Sequence, residues 1–169
     1  AKQLIEQGDA YYCFCDKERL ETLANSEGIK RYDKHCLHLS DEEVKMRLAR
    51  GDKFVIRQNM PTEGISEFDD LVFGHVEIPN NELEDQILIK SDGLPTYNFA
   101  NVVDDHLMHT TLVTRSDEWL SSVPLHIQLF RILGFKVPKF AHTAPLEKAE
   151  EGSRRKLSKR KDPEAAVSY

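Results

Sequence analysis

No run of apolar residues in this chain approaches the roughly 20 that a membrane-spanning helix needs. The opening AKQLIEQGDA reads as a polar helical end rather than a charged start followed by an apolar signal core. A cytoplasmic protein with no membrane partner is expected. Cysteine is scarce, with only Cys13, Cys15 and Cys36, all in the first quarter of the chain. An odd number in a reducing compartment does not suggest a disulfide framework, and a metal is the more economical use for them. Internal repeats and low-complexity tracts are missing. So is any excess of basic residues, for the formal net charge is −6. That balance counts against a nucleic-acid partner, although phosphate contacts rest on local clusters of Lys and Arg rather than on totals. One such cluster exists: six of the eight residues from Arg154 to Lys161 are basic. By composition alone it reads equally well as a solvated loop.

What is present is 169 residues, 40% hydrophobic and 31% charged, enough for one ordinary core or two small connected ones. Residues 2–8 read as the last turns of a helix stopped at Gly8. AYYCFC follows as a strand, then Asp16 as the cap of a helix KERLETLANSEG. Ser40 and Glu43 form an S-x-x-E capping box ahead of VKMRLAR, with Gly51 at its end. From Lys53 to Lys90 the segments FVIRQ, DLVFGHVEI and QILIK, separated by Pro, Gly and Asn, predict a small antiparallel sheet. Beyond SDG at 91–93 come a helical stretch, a strand TLVTR, a long helix from about Asp117 to Leu133 and a strand KFAHT, the order of a parallel α/β unit.

Several residue sets carry candidate chemistry. Cys13-x-Cys15 and Cys36-x-His38 supply two ligand pairs that close a tetrahedron around a structural zinc, with His35 as an alternative fourth ligand. The competing reading is two buried cysteines, an unrelated third and a surface histidine. Arg115 ends the strand TLVTR, at the carboxyl edge where open α/β sheets bind ligands. There it can grip a carboxylate through two parallel hydrogen bonds, or it can pair with Asp104, Asp105 or Glu118. Tyr97 and Asn101 share a face if PTYNFANVV is helical. KLSKR at 156–160 places Lys and Arg where they can meet the charge of a pyrophosphate leaving group.

Taken together, DGLPTYNFANVVDDHLM, VTRSDEWLSSVPLHIQLFRILGF and KLSKR resemble, in order and over nearly the whole chain, the glutamate branch of the class I aminoacyl-tRNA synthetases. The resemblance implies an α/β fold: the second half of a class I Rossmann-type nucleotide-binding domain plus an α+β insertion that binds the tRNA acceptor stem and carries a zinc site. Residues 1–10 would end a helix of the first Rossmann half, 11–96 would be the insertion, 97–150 the second Rossmann half, and 151–169 the KMSKS-type loop and the start of a following domain.

Residue by residue, the resemblance places Tyr97, Asn101 and Arg115 on the amino-acid substrate, with Arg115 facing the glutamate side-chain carboxylate. It places Trp119 beside the ATP pocket, Leu157 against the adenine through its backbone, and Lys159 on the phosphates as the catalytic cation. Cys13, Cys15, Cys36 and His38 are similar to the family's zinc site. The implied reaction is activation of glutamate by ATP, with Mg, to glutamyl-adenylate, followed by transfer to the 3′ end of tRNA(Glu). The family's HIGH segment would precede Ala1, so the chain alone is expected to be inactive; that no anticodon-binding domain follows Tyr169 leaves a shorter paralogue open. His109 and Ser116 stand where glycine, or glycine and alanine, are frequent. The alternatives are a glutamyl-Q-type paralogue that modifies a tRNA base and a zinc-dependent RNA-binding module without chemistry.

Overall fold

The structure, a computed structural model, describes residues 1–23, 31–150, 152–158 and 160–163. Helix α1 (Lys2–Gln7) ends at Gly8, whose φ of 83° is the left-handed cap that glycine alone adopts without cost. Strand β1 (Ala10–Cys13) follows, then α2 (Lys17–Thr22), where Asp16 accepts from the Arg19 N–H as an N-cap does. The far part of the helix expected there lies outside the described residues. A 3-10 turn covers His35–His38. In α3 (Asp41–Arg50) Ser40 caps the Glu43 N–H, while the Glu43 carboxylate bonds Arg47 rather than returning to Ser40.

The stretch from 53 to 90 is not the single antiparallel sheet that its turns suggest. Strands β2 (Val55–Gln58) and β5 (Ile87–Ile89) join β1 in a three-stranded antiparallel sheet of order β1-β2-β5. Strands β3 (Ile65–Asp70) and β4 (Gly74–Pro79) form a hairpin that instead joins a second sheet of order β4-β3-β7-β6. Its other half is β6 (Leu112–Ser116) and β7 (Lys139–Thr143), which run parallel, with Arg115 opposite His142. LVF at 71–73 is the hairpin turn, not part of a strand. The strand before it, ISEFDD, buries Ser66, Phe68 and Asp70, and two polar residues on the inner face hide its period from a hydropathy reading.

Helix α4 (Tyr97–Leu107) and helix α5 (Val123–Ile132) pack on one another. The long helix expected from Asp117 is broken: residues 117–122 form a 3-10 turn and α5 begins at Val123. Pro124 explains the break, since it lacks an N–H and is tolerated only in a helix's first turn. His109 just past α4 has φ 56°, the left-handed geometry that accounts for glycine being frequent there.

α5 is the shared wall of two cores. Leu129 and Phe130 pack with Leu4, Ala10, Ile56, Leu88, Phe99 and Val102, while Val123 and Ile127 pack with Phe68, Val113 and Phe140. A last hairpin, β8 (Glu147–Glu150) and β9 (Ser153–Lys156), precedes the basic loop. No described helix is long and apolar enough to cross a membrane.

Candidate functional site

The parallel pair β6–β7 ends in a polar edge. Arg115, half-buried there, donates through Nη1 to His126 Nδ1 at 3.1 Å, and its guanidinium carbon lies 5.9 Å from the centre of the Trp119 ring. Among the described residues no carboxylate pairs with it. Glu118, one of the ion-pair partners considered from the sequence, is bonded instead to Lys156 Nζ. Trp119 sits in the 3-10 turn that follows β6, and its ring centre is 5.0 Å from that of the exposed Tyr97.

Tyr97 and Asn101 are both in α4, one turn apart, as their spacing requires. Both amide atoms of Asn101 are buried without a partner. Leaving such groups unpaired costs on the order of 1 to 3 kcal/mol each, and native proteins accept that mainly at sites with a further task. Arg115, Trp119 and Tyr97 are thus brought together, with the unsatisfied Asn101 amide one turn along α4.

The basic loop stands less completely. Lys159 lies outside the described residues. Leu157 is half-buried and its N–H is engaged by the Leu146 carbonyl at 2.8 Å, so a nucleobase contact through that N–H requires this bond to open. The Lys156–Glu118 pair ties β9 to the turn that carries Trp119. Asp162, buried under the loop, accepts from both terminal nitrogens of Arg155 and from the Ser158 N–H; the Arg155 guanidinium holds its carboxyl well below the usual range.

Two buried histidines behind Arg115 were not singled out from the sequence. His126 lies on the buried face of α5 and His142 on β7, and neither exposes any surface. Burial lowers His126, with the charges of Arg115 and His142 adding to it, to about 3, so its ring is neutral. His142 Nδ1 meets Asp70 Oδ2 at 2.6 Å. A polar residue inside the apolar stripe of α5 was the available signal for His126.

The cysteines converge. The sulfurs of Cys13, Cys15 and Cys36 lie within 4.8 Å of one another, and all three thiols are free. His38 does not join them, and neither does His35. In a 3-10 turn each residue advances by about 120°, so Cys36 and His38, two apart, leave on different sides, and His38 is exposed while Cys36 is buried. The group beside the thiols is Tyr32, whose hydroxyl is 3.2 Å from Cys13 Sγ and 3.6 Å from Cys15 Sγ. The Cys36 hydrogen bond, helped by Tyr32 and opposed by burial, pushes Cys13 down to about 4, while the same contact and burial push Cys36 up. One thiolate stabilised among three soft ligands fits a zinc ion.

A groove of about 720 Å³ lies at the other end of the sheet, where β6 and β7 begin, lined by Leu71, Thr110, Leu112, Lys136 and Pro138 among others. It holds none of the polar groups described above.

A parallel strand–helix–strand unit with an arginine at its carboxyl edge is the arrangement of a catalytic domain of the open α/β kind. The chain belongs to the tRNA synthetases class I (E and Q), catalytic domain, which it matches over residues 1–168. It is 56% identical over 164 residues to the glutamate–tRNA ligase of a Clostridium botulinum strain, covering 95% of this chain and 33% of that protein. With the glutamate–tRNA ligase of Lachnoclostridium phytofermentans it shares 55% over 168 residues, covering 95% of this chain and 34% of the other. A crystal structure of a glutamate tRNA ligase from Elizabethkingia meningosepticum in complex with its amino acid is similar with a TM-score of 0.85 and 34% identity, over 98% of this chain and 35% of that one. The chain spans about a third of the length of these relatives.

Proposed function

We propose that this chain supplies part of the active site of a ligase that activates glutamate with ATP, as glutamyl-adenylate, and transfers it to the acceptor end of tRNA(Glu). The observation that carries the reading is Arg115: a guanidinium held at the carboxyl edge of β6 with no carboxylate partner among the described residues. Such a group suits a ligand carboxylate, which it can meet with two parallel bonds. The Asn101 amide and the Tyr97 phenol offer further polar contacts to the same amino acid, and the Trp119 ring lies between Tyr97 and Arg115 in contact with both. The names of the relatives point to the same substrate and do not favour the base-modifying paralogue or the RNA-binding module.

In this reading Lys159 and the backbone at Leu157 serve ATP, with Mg accompanying the triphosphate. Residues 11–96 hold the acceptor end, 97–150 bind the reactants and 151–169 carry the signature loop. A zinc ion held by Cys13, Cys15 and Cys36 stiffens the first of these; Tyr32 is the side chain best placed to complete the set.

The test is Arg115→Lys in a full-length ligase carrying this sequence. A point-charge ammonium cannot reproduce the planar fork, and truncating a buried charge pair commonly costs on the order of 2 to 5 kcal/mol. Adenylate formation with varied glutamate should show kcat/KM falling by about thirtyfold or more, which 2 kcal/mol corresponds to. An unchanged value would return Arg115 to a structural role.

A further inference from the structure

We infer that His126 is a positioning residue for Arg115, holding the guanidinium in the one orientation that presents its fork to the substrate side-chain carboxylate. The inference rests on the function proposed above and goes one layer behind it.

His126 lies on the face of α5 that otherwise carries Val123, Ile127 and Phe130, and it is wholly buried. An imidazole in that position must find partners for both nitrogens, or its burial is costly. Arginine carries donors only, so the 3.1 Å contact from Arg115 Nη1 makes Nδ1 the acceptor. A neutral ring that accepts at Nδ1 carries its proton on Nε2, and Nε2 meets Asn98 Oδ1 at 3.0 Å. The two contacts therefore require the same tautomer. Protonation would aim an Nδ1–H at a guanidinium, and burial together with the neighbouring charges opposes it.

The relay Arg115–His126–Asn98 spans β6, α5 and α4, and α4 is the helix that carries Tyr97 and Asn101. It fixes the arginine relative to the other proposed substrate contacts. Among the described residues, His126 Nδ1 is the one side-chain acceptor within hydrogen-bond distance of the Arg115 guanidinium. On its strand-ladder side Arg115 faces His142, whose Nδ1 is committed to Asp70 and whose buried Nε2 has no partner, so the ring stands beside the guanidinium as a wall without bonding it.

In a full-length ligase carrying this sequence, His126→Leu removes the acceptor while keeping an apolar volume. The KM for glutamate in pyrophosphate exchange should rise on the order of tenfold to a hundredfold, the scale of a misplaced binding group, with the KM for ATP unchanged. His126→Asn, whose Oδ1 takes the place of Nδ1, should recover most of that loss. In an Arg115→Lys background the leucine substitution should add little, because it acts through the group already altered. An unchanged glutamate KM in His126→Leu, a loss in glutamate and ATP alike, or effects that simply add would overturn the inference. Normal glutamate use in Arg115→Lys alone would instead overturn the function on which it rests. The unsubstituted chain gives a further reading that does not depend on how the leucine variant folds. Nitrogen NMR should find His126 neutral with its proton on Nε2, and a proton on Nδ1 would overturn the positioning role.

Discussion

Asp85 and Arg115 are both charged side chains drawn away from bulk water, and the fold treats them in opposite ways. The Asp85 side chain is 1% exposed; it accepts from the Tyr11 hydroxyl and from the Met60 N–H at 2.9 Å, and it pairs with Lys34 Nζ at 2.8 Å. Its backbone carbonyl takes Arg57 Nη1 at 2.7 Å. Every lone pair that matters is occupied from within, and the four partners come from β1, β2, the residue that precedes the His35–His38 turn, and the segment before β3. Arg115 has a neutral histidine and an aromatic ring beside it, and no carboxylate among the described residues. A charge compensated on all sides ties a scaffold together, whereas one left uncompensated at a sheet's carboxyl edge is set for a ligand.

The comparison breaks most visibly at Asp85. Asp85→Ala leaves the Tyr11 hydroxyl and the Met60 N–H buried without their acceptor and takes the carboxylate from Lys34, which keeps the Asn59 and Met60 oxygens; removing one member of such a set costs on the order of 3 to 5 kcal/mol. Urea unfolding of the chain should show that loss as a lower midpoint with the slope kept. A loss below about 1 kcal/mol, the range of an exposed ion pair, would mean that the Asp85 cluster is no more structural than the Arg115 edge.

The cysteine trio sharpens the same contrast, because three soft donors gather there with all their thiols free. Metal analysis after purification without chelator should find about one zinc per chain, as a closed four-ligand site holds. With free zinc at a hundred times its Kd, folding should gain about 2.7 kcal/mol over the chelated chain. Cys36→Ser should abolish that gain and His38→Ala should keep it. Loss of the metal in His38→Ala would restore the ligand set read from spacing alone.

Much of this was legible in the chain. The caps at Gly8, Asp16, Ser40 and Gly51 are local chemistry, and each was found where its residue type requires. The β6–α5–β7 unit and the place of Arg115 at its edge followed from apolar strands bounded by short joints. What was not legible is nonlocal. The hairpin β3–β4 joins β7 through a parallel pairing between Asp70 and Phe140, seventy residues apart, and nothing within the hairpin announces it. Tyr32 reaches the thiols across a stretch whose composition marks no ligand, and the turn geometry that removes His38 is invisible in a C-x-H spacing. His126 was overlooked because a single polar residue in a helical stripe is most often read as noise in the pattern, yet its place on the buried face was the signal.

The smallest of these effects concerns Asp70, which belongs with Asp85 on the scaffold side while standing next to the Arg115 edge. Burial alone would raise its carboxyl, but His142 Nδ1 and the backbone N–H groups of Val72, Phe73 and His142 all address it, and the balance leaves it pushed down to about 2. An aspartate in the unfolded chain titrates near 3.9. The folded carboxyl is thus the stronger acid, so its contribution is fully present above about pH 4 and is lost as the pH falls toward 2. At about 1.4 kcal/mol per unit the whole contribution is on the order of 2 kcal/mol, and roughly half of it should be gone by pH 3. Asp70→Asn removes the titration. The stability gap between the natural chain and this variant should therefore narrow by about 1 kcal/mol between pH 5 and pH 3, read by urea unfolding at each pH. Asp69→Asn, at the exposed neighbour, is the control for general acid effects. A gap that stays constant across that range would mean that Asp70 is not held by its hydrogen bonds in solution, and the wall that His142 gives Arg115 would lose its anchor.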